Sequence, residues 1–155
     1  MKKSYKIPQS TDYVKEAPTS FYQGNLAVPL VDLTSYQKMQ IVRDGITKSY
    51  LTKLKEETSL DYDALAQALS VTRSTLINKK NDQRFSDHVS ERIVAVAELY
   101  SFGYEVFENK DNFNSWMFSP NQALSGAKPF ELMDNQFGRE EIRNLIGRIA
   151  HGVFS

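Results

Sequence analysis

Two helix-start signals follow each other closely in the middle of the chain, in L-D-Y-D-A-L-A-Q-A-L-S-V-T-R-S-T-L-I-N-K-K. Asp61 can cap a helix that begins at Tyr62, because its carboxylate can accept from the unpaired backbone N–H groups of the first turn. Thr72 can cap a second helix in the same way, and only Ser70 and Val71 separate the two. So short a connection makes the two helices cross tightly, which predicts a helix-turn-helix.

Apolar residues support both helix starts. Leu60 and Leu65 flank the first cap, and Val71 and Leu76 flank the second, each pair placed as a hydrophobic staple. The turn position that most helix-turn-helix sequences fill with glycine holds Ser70, which can adopt a left-handed backbone at some cost. The turn is therefore still the favoured interpretation.

The second helix and the loop after it carry polar and basic side chains, with Asp82 as the single acidic residue. Such a local excess is the electrostatic footprint of a DNA-reading element. We predict that the following side chains contact base edges and phosphates: Arg73, Ser74, Thr75, Asn78, Lys79, Lys80 and Arg84. The alternative is an ordinary solvated helix face, since exposed charges need no function.

Caps and stops crowd the last part of the chain. Ser119, followed by Pro120 and Gln122, fits a capping box and predicts a helix that begins at the proline. Gly126 can supply the left-handed residue that ends it, and Pro129 starts a further turn through its fixed φ. The pattern predicts several short, packed helices.

A last amphipathic helix is predicted from Arg139 to His151, with Gly152 ending it. Its apolar stripe consists of Ile142, Leu145, Ile146 and Ile149. Arg139, Arg143 and Arg148 lie off this stripe. They form either a solvated face or an interface, because exposed arginines often anchor interfaces.

A longer pattern runs through this region, W-x-x-x-P-N-x-A-L-x-G-x-x-P-x-E-L and then R-I-x-x-G. The residues that fit it are Trp116, Pro120, Asn121, Ala123, Leu124, Gly126, Pro129, Glu131, Leu132, Arg148, Ile149 and Gly152. In this order they resemble the C-terminal toxin-binding domain of the Xre/MbcA/ParS antitoxins, which follows a helix-turn-helix domain in that family. By its type, Trp116 is itself interpreted as a core anchor.

The resemblance implies a bacterial antitoxin whose partner is a RES-domain toxin, a class associated with NAD⁺ depletion or ADP-ribosyl transfer. The toxin would then be the enzyme. Family members use the last helix and the chain end to cover the toxin's active-site cleft. The resemblance thus implies these toxin-binding residues: Asn121, Arg139, Arg143, Arg148, Val153, Phe154 and Ser155.

The remaining segments complete an all-α prediction with three parts. Residues 1–33 form an extended or irregular, proline-containing arm, with a possible short strand at Asn25–Leu30. Residues 34–111 hold the helix-turn-helix domain, two earlier helices capped by Thr34 and Thr47, and a long helix capped by Ser86 that joins the two halves. Residues 112–155 form the toxin-binding domain. We expect the proline-containing arm and the two early helices to form the dimer interface, because Tyr50, Leu51 and Leu54 share an apolar face on the second of these helices that must be buried.

Composition excludes several classes of protein. Nineteen basic residues balance 19 acidic ones, so DNA contact should be local rather than a property of the whole chain. The absence of cysteine excludes disulfides, thiol catalysis and cysteine-ligated metal. No apolar run is long enough for a membrane span and no signal-peptide core follows the start, so a cytoplasmic location is expected.

No motif for catalysis stands out. His88 and His151 lack metal-ligand spacing, and phosphate-binding and nucleophile signatures are missing. We therefore expect no enzyme activity, cofactor or metal. The predicted function is that of an antitoxin that binds a RES-domain toxin, represses its own operon by binding operator DNA, and forms a homodimer. The alternatives are a helix-turn-helix regulator without a toxin partner, or a protein-interaction module with a scaffold helix-turn-helix.

Overall fold

The computed structural model describes residues 33–152, and this part of the chain is helical. The helices are α1 (Ser35–Asp44), α2 (Lys48–Thr58), α3 (Tyr62–Ala68), α4 (Arg73–Ile77), α5 (Asp87–Phe107), α6 (Lys110–Met117) and α7 (Gln136–Ala150), with 3-10 helices at Gln122–Leu124 and Pro129–Leu132. Between residues 33 and 152 extended pairing is confined to one isolated bridge, Thr47 with Arg84. The all-α prediction is confirmed. The N-terminal arm, with its possible strand, and the tail from Val153 to Ser155 lie outside the described residues.

Side-chain caps start the early helices where the sequence predicts them. The hydroxyl or carboxylate of each capping residue accepts a backbone N–H of the first turn at Thr34, Thr47, Asp61 and Thr72. At Thr34 the box is complete, because the Gln37 side chain also accepts from the Thr34 N–H at 2.9 Å. Ser86 holds the predicted N-cap position of α5. Its side chain makes no cap hydrogen bond, so the predicted capping by the serine hydroxyl is wrong.

The α3–α4 pair closes as a tight turn. Ser70 adopts a left-handed backbone with a φ of 50°, as the turn requires, and the Val71 N–H donates to the Ala66 carbonyl at 3.0 Å. Leu65 and Leu76 are fully buried between the two helices and the rest of the core. The predicted helix-turn-helix geometry is therefore present despite the serine.

The long helix α5 lies at the centre and contacts α1, α2, α6 and α7. Its buried face carries Ile93, Val96 and Tyr100, which belong to the same apolar cluster as Leu65 of the helix-turn-helix and Ile142 of the last helix. One continuous core thus serves both halves of the chain, as expected for a joining helix.

The apolar face of α2 is buried within the single chain. Tyr50, Leu51 and Leu54 are 2%, 0% and 1% exposed within the single chain. Because they pack into the monomer core, they give no reason to expect a dimer interface at this face, and the position of the interface stays a prediction.

Aromatic rings join α6 to the end of α5. Phe113 lies edge-on to Tyr100 and Tyr104, with centroids 5.3 and 5.4 Å away, and stacks on Trp116 at 5.9 Å. Gly103 makes room for this ring, since a Cβ at that position would lie 2.2 Å from it. Trp116 packs against the core, in agreement with its interpretation as a core anchor.

The predicted capping box at Ser119 is wrong. The Ser119 hydroxyl donates to the Ser115 carbonyl at 2.7 Å, as a second donor beside the Phe118 N–H at 3.3 Å, so it is engaged with the end of α6 rather than with the next helix. Asn121 caps the short Gln122–Leu124 helix instead, its amide oxygen accepting from Ala123 N at 2.9 Å. The helix therefore starts after the asparagine, and Gly126, with φ 88°, follows it as predicted.

The last helix begins earlier than predicted. Asn135 caps α7 by accepting from Gly138 N at 2.9 Å, so the helix starts at Gln136 rather than at Arg139. Gly138 lies in the first turn of this helix and packs directly against the backbone of Leu132. A Cβ at this position would lie 1.9 Å from the Leu132 carbonyl oxygen. The apolar stripe is largely confirmed, since Ile142, Leu145 and Ile146 are buried and Ile149 is half-buried.

Candidate functional site

Helix α4 presents a polar face to solvent. The exposed residues predicted on it are Arg73, Ser74, Thr75 and Asn78. The Thr72 hydroxyl lies 2.9 Å from the Ser74 hydroxyl and 2.8 Å from that of Thr75, so the first turn carries a connected set of hydroxyl groups. Such groups can donate to phosphates or base edges.

A buried lysine holds the inner side of α4. Lys48 is 6% exposed, and its ammonium donates to the Leu76 carbonyl and lies 4.6 Å from the Tyr62 ring centroid. Burial alone would raise the pKa of the Tyr62 hydroxyl, but interactions with Lys48, Thr52 and Lys55 outweigh it and lower that pKa. Lys48 could not be identified from the sequence, because its carbonyl partner, Leu76, lies on a separate helix.

The four predicted basic residues of this region divide into two pairs. Lys79 donates to the Arg84 carbonyl at 2.8 Å, and Arg84 donates to the Gly45 carbonyl at 2.7 Å, so both side chains brace the loop after α4. Arg73 and Lys80 are exposed. Arg73 lies 3.5 Å from Asp63, a pair exposed enough to contribute little to stability.

The turn of the helix-turn-helix contacts both α5 and the C-terminal domain. Arg92 of α5 donates to the Leu69 carbonyl at 3.0 Å, and the Ser70 hydroxyl donates to the Asp134 carbonyl of the C-terminal domain at 2.7 Å. Beside them Arg139 donates to the Met133 carbonyl at 2.8 Å. Burial, together with the charge of Arg92, lowers the pKa of the Arg139 guanidinium. Arg139 therefore has a structural role here besides its predicted place among the toxin-binding residues.

A basic groove lies where the end of α5 meets α7. It has a volume of about 580 Å³ and is lined by Phe102, Arg143, Asn144, Gly147, Arg148 and His151. The Arg143 guanidinium lies 5.2 Å from the Phe102 ring centroid, and Arg148 lies 3.3 Å from Glu141. Two of the predicted arginines thus line one groove, and one of them, Arg143, lies over the Phe102 ring.

The charge of this groove is incompletely balanced. Arg143 lies 3.8 Å from Glu98, but that carboxylate is already held by Lys38 at 2.5 Å. One carboxylate therefore faces two cations, which leaves the groove suited to an anionic group.

The other predicted toxin-binding residues lie elsewhere. Asn121 is half-buried, and its amide oxygen is used as a cap. Val153, Phe154 and Ser155 lie outside the described residues. Phe137 was not among the predicted residues, yet it is 79% exposed in the first turn of α7. Its signal in the sequence is that of an apolar residue outside the stripe.

The part of the chain that the structure describes holds no cluster of His, Asp and Glu side chains that could bind a metal ion. Nor does any helix in that part have the length and apolar character needed to cross a membrane.

Two family descriptions match the two halves of this architecture. An Xre-like helix-turn-helix domain of antitoxins matches residues 38–98, and the Xre/MbcA/ParS C-terminal toxin-binding domain matches residues 103–152. The protein named Antitoxin Xre of Photorhabdus laumondii is 32% identical over 117 residues, which cover 74% of this chain and 79% of that one. This chain belongs to the Xre/MbcA/ParS antitoxin family.

Other relatives agree with this membership. The Prs ADP-ribosylating antitoxin of Sphingobium is 26% identical over 129 residues, covering 76% of the chain and 80% of the relative. Antitoxin Xre of Yersinia enterocolitica is 33% identical over 85 residues, so the match spans 54% of the chain but only 57% of that relative. The crystal structure of the M. tuberculosis MbcT–MbcA toxin-antitoxin complex contains a chain with the same fold, with a TM-score of 0.53 and 23% identity over 70% of this chain and 96% of that one.

Proposed function

We propose that this chain is an antitoxin that binds a cognate toxin through its C-terminal domain, residues 112–155, and binds the operator of its own operon through α4. The observation that carries the proposal is the basic groove. Apart from Phe102, which directly precedes the match, the lining residues lie within the toxin-binding family match at residues 103–152. The groove brings Arg143 and Arg148 together, with the Arg143 guanidinium over the Phe102 ring. Arginines are frequent anchors of protein interfaces.

The proposed toxin is of the RES class, with NAD-degrading or ADP-ribosylating chemistry. The name of the Sphingobium relative, which links that protein to ADP-ribosylation, supports this class. Inhibition is steric: the folded domain and the chain end occlude the substrate cleft. The enzymatic reaction is carried out by the toxin, so the antitoxin itself has no catalytic role, cofactor or metal. Both partners act in the cytoplasm.

The proposed toxin contacts can be tested by neutralising charges in the groove. Arg143→Gln and Arg148→Gln remove a cation without placing a second carboxylate beside Glu98 or Glu141. Arg43→Gln is the matched control, since Arg43 is an exposed arginine in the last turn of α1. Loss of a buried charge contact typically costs about 2–5 kcal/mol of binding.

Co-expression with the cognate toxin provides the readout. We expect both groove variants to lose protection and affinity, the control to protect fully, and circular dichroism to show unchanged helix content for all three. Full protection by both groove variants would move the toxin contact to the Asn121–Leu132 segment or to Phe137. If the unmodified chain neither binds nor neutralises the toxin, the antitoxin function itself is refuted.

DNA binding is proposed to occur as a homodimer, because helix-turn-helix proteins pair to match half-sites roughly 34 Å apart. We expect Arg73→Ala to weaken operator binding, and a lost phosphate contact to lower the salt slope by about one unit. Light scattering at micromolar concentration tests the dimer. Gel shifts at several salt concentrations test the contact, and binding no stronger than to unrelated DNA would favour a scaffold role for the helix-turn-helix.

A further inference from the structure

Ile77 is an exposed aliphatic residue on the candidate reading helix. It is 43% exposed, whereas its neighbour Leu76 is fully buried and attaches α4 to the core. Ile77 lies three residues after Ser74 and four after Arg73, so the three side chains are neighbours on one side of the helix. The packing of the chain thus explains Leu76 but leaves an apolar group within an otherwise polar surface.

The position of Ile77 is well fixed. The Thr72 hydroxyl caps the start of α4, accepting from Thr75 N at 3.2 Å, and the buried Lys48 ammonium donates to the carbonyl of Leu76, the residue before Ile77. Because the backbone of this short helix is held near both ends, little backbone freedom is lost when Ile77 packs against a rigid partner. Preorganisation of this kind favours a specific contact.

The surroundings indicate what that partner is. Exposed Ser74 and Asn78 can reach base edges, and exposed Arg73 and Lys80 supply positive charge on the same element. A major groove offers such a helix hydrogen-bonding groups, phosphates and one kind of apolar group, the C5 methyl of thymine. We propose that Ile77 packs against a thymine methyl and specifies a T·A pair at one position of the binding site. This inference rests on the proposed DNA binding by α4.

The test removes only the C5 methyl group of thymine from the DNA. The full-length protein selects its preferred duplex from a random-sequence library, and each thymine of that duplex is then replaced singly by deoxyuridine. At one position of the site the unmodified protein should bind about fourfold more weakly, the effect of losing one buried methyl. Ile77→Ala should bind the thymine duplex more weakly and show no further loss at that position, because the two changes remove the same contact.

Two control variants sharpen the comparison. Ile77→Val keeps a branched apolar side chain and should retain the response to uracil. Met39→Ala removes a comparably exposed apolar residue, 37% exposed on α1, and should behave like the unmodified protein. Thermal melts followed by circular dichroism check the fold, which alanine should preserve given its high helix propensity.

The outcomes separate the inference from the function on which it rests. If no duplex is selected above non-specific binding, both DNA reading and the methyl contact fail. If a duplex is selected but Ile77→Ala responds to every uracil as the unmodified protein does, the methyl contact is refuted and DNA reading stands. A changed mass of Ile77→Ala in light scattering, with an unchanged uracil response, would assign Ile77 to a protein interface and also overturn the inference.

Discussion

The contact between Gly138 and the Leu132 backbone predicts opposite effects for two glycine-to-alanine changes in one helix. A Cβ on Gly138 would lie 1.9 Å from the Leu132 carbonyl oxygen and 2.8 Å from its carbon. A Cβ on Gly147 would meet nothing within 4 Å. Both glycines belong to α7, so the second is a matched control for the intrinsic effect of alanine.

The magnitudes follow from the two environments. Relieving the contact at Gly138 requires the backbone of the Pro129–Leu132 helix to move by roughly 1 Å, although Pro129 and Phe130 are buried there. Overpacking against a backbone should reach the upper end of the usual cost, about 3 kcal/mol. Alanine returns up to about 1 kcal/mol through helix propensity, so the net loss is about 2 kcal/mol. At Gly147 only the gain of about 0.5–1 kcal/mol remains.

Thermal and urea unfolding followed by circular dichroism measure both changes. For a chain of this size, Gly138→Ala should lower Tm by about 4–8 °C and Gly147→Ala should raise it by about 1–4 °C. Equal shifts for the two variants, or a Tm of Gly138→Ala at or above that of the unmodified protein, would show that α7 does not pack against Leu132 as described.

Three further predictions concern polar side chains, of which two are buried and one is half-buried. Tyr100→Phe should raise the free energy of unfolding by up to about 1 kcal/mol in urea titrations, because the buried hydroxyl finds no hydrogen-bond partner among residues 33–152; a loss of stability would contradict this. Lys48→Met should lower that free energy by about 1–3 kcal/mol and speed amide exchange in α4, since it leaves the buried Leu76 carbonyl unpaired, whereas Lys80→Met on the surface should change neither. Burial raises the pKa of Tyr104 to about 12, so stability should be level below pH 10, where the unfolded tyrosine is protonated, and decline from pH 10 to 12; Tyr104→Phe should decline less steeply over that interval.

Signals that act within one or two turns of helix were predictable from the sequence. Asp61 and Thr72 cap their helices because both partners of each bond lie three residues apart. The choice between Ser119 and Asn121 was not predictable in this way. Both can cap, and the outcome depended on where α6 ends, because its last turn places the Ser115 carbonyl within reach of the Ser119 hydroxyl.

Features that depend on contacts between distant helices could not be predicted from the sequence either. Lys48 is buried because α4 places the Leu76 carbonyl beside it, and the spacing of residues in α2 carries no sign of that contact. The amphipathic pattern correctly put Arg143 and Arg148 off the apolar stripe. It could not show that Phe102, from a helix far earlier in the chain, would line the same groove and lie under Arg143.

The shared core has a consequence for exchanging parts between members of the family. Removing the C-terminal half would take Phe113 away from Tyr100 of α5 and Ile142 out of the shared apolar cluster, and would leave the Ser70 hydroxyl without the Asp134 carbonyl. The two halves therefore cannot be treated as cassettes. A chimera with the operator preference of one relative and the toxin preference of another needs both surfaces of α5, and the Ser70–Asp134 contact, from compatible parents.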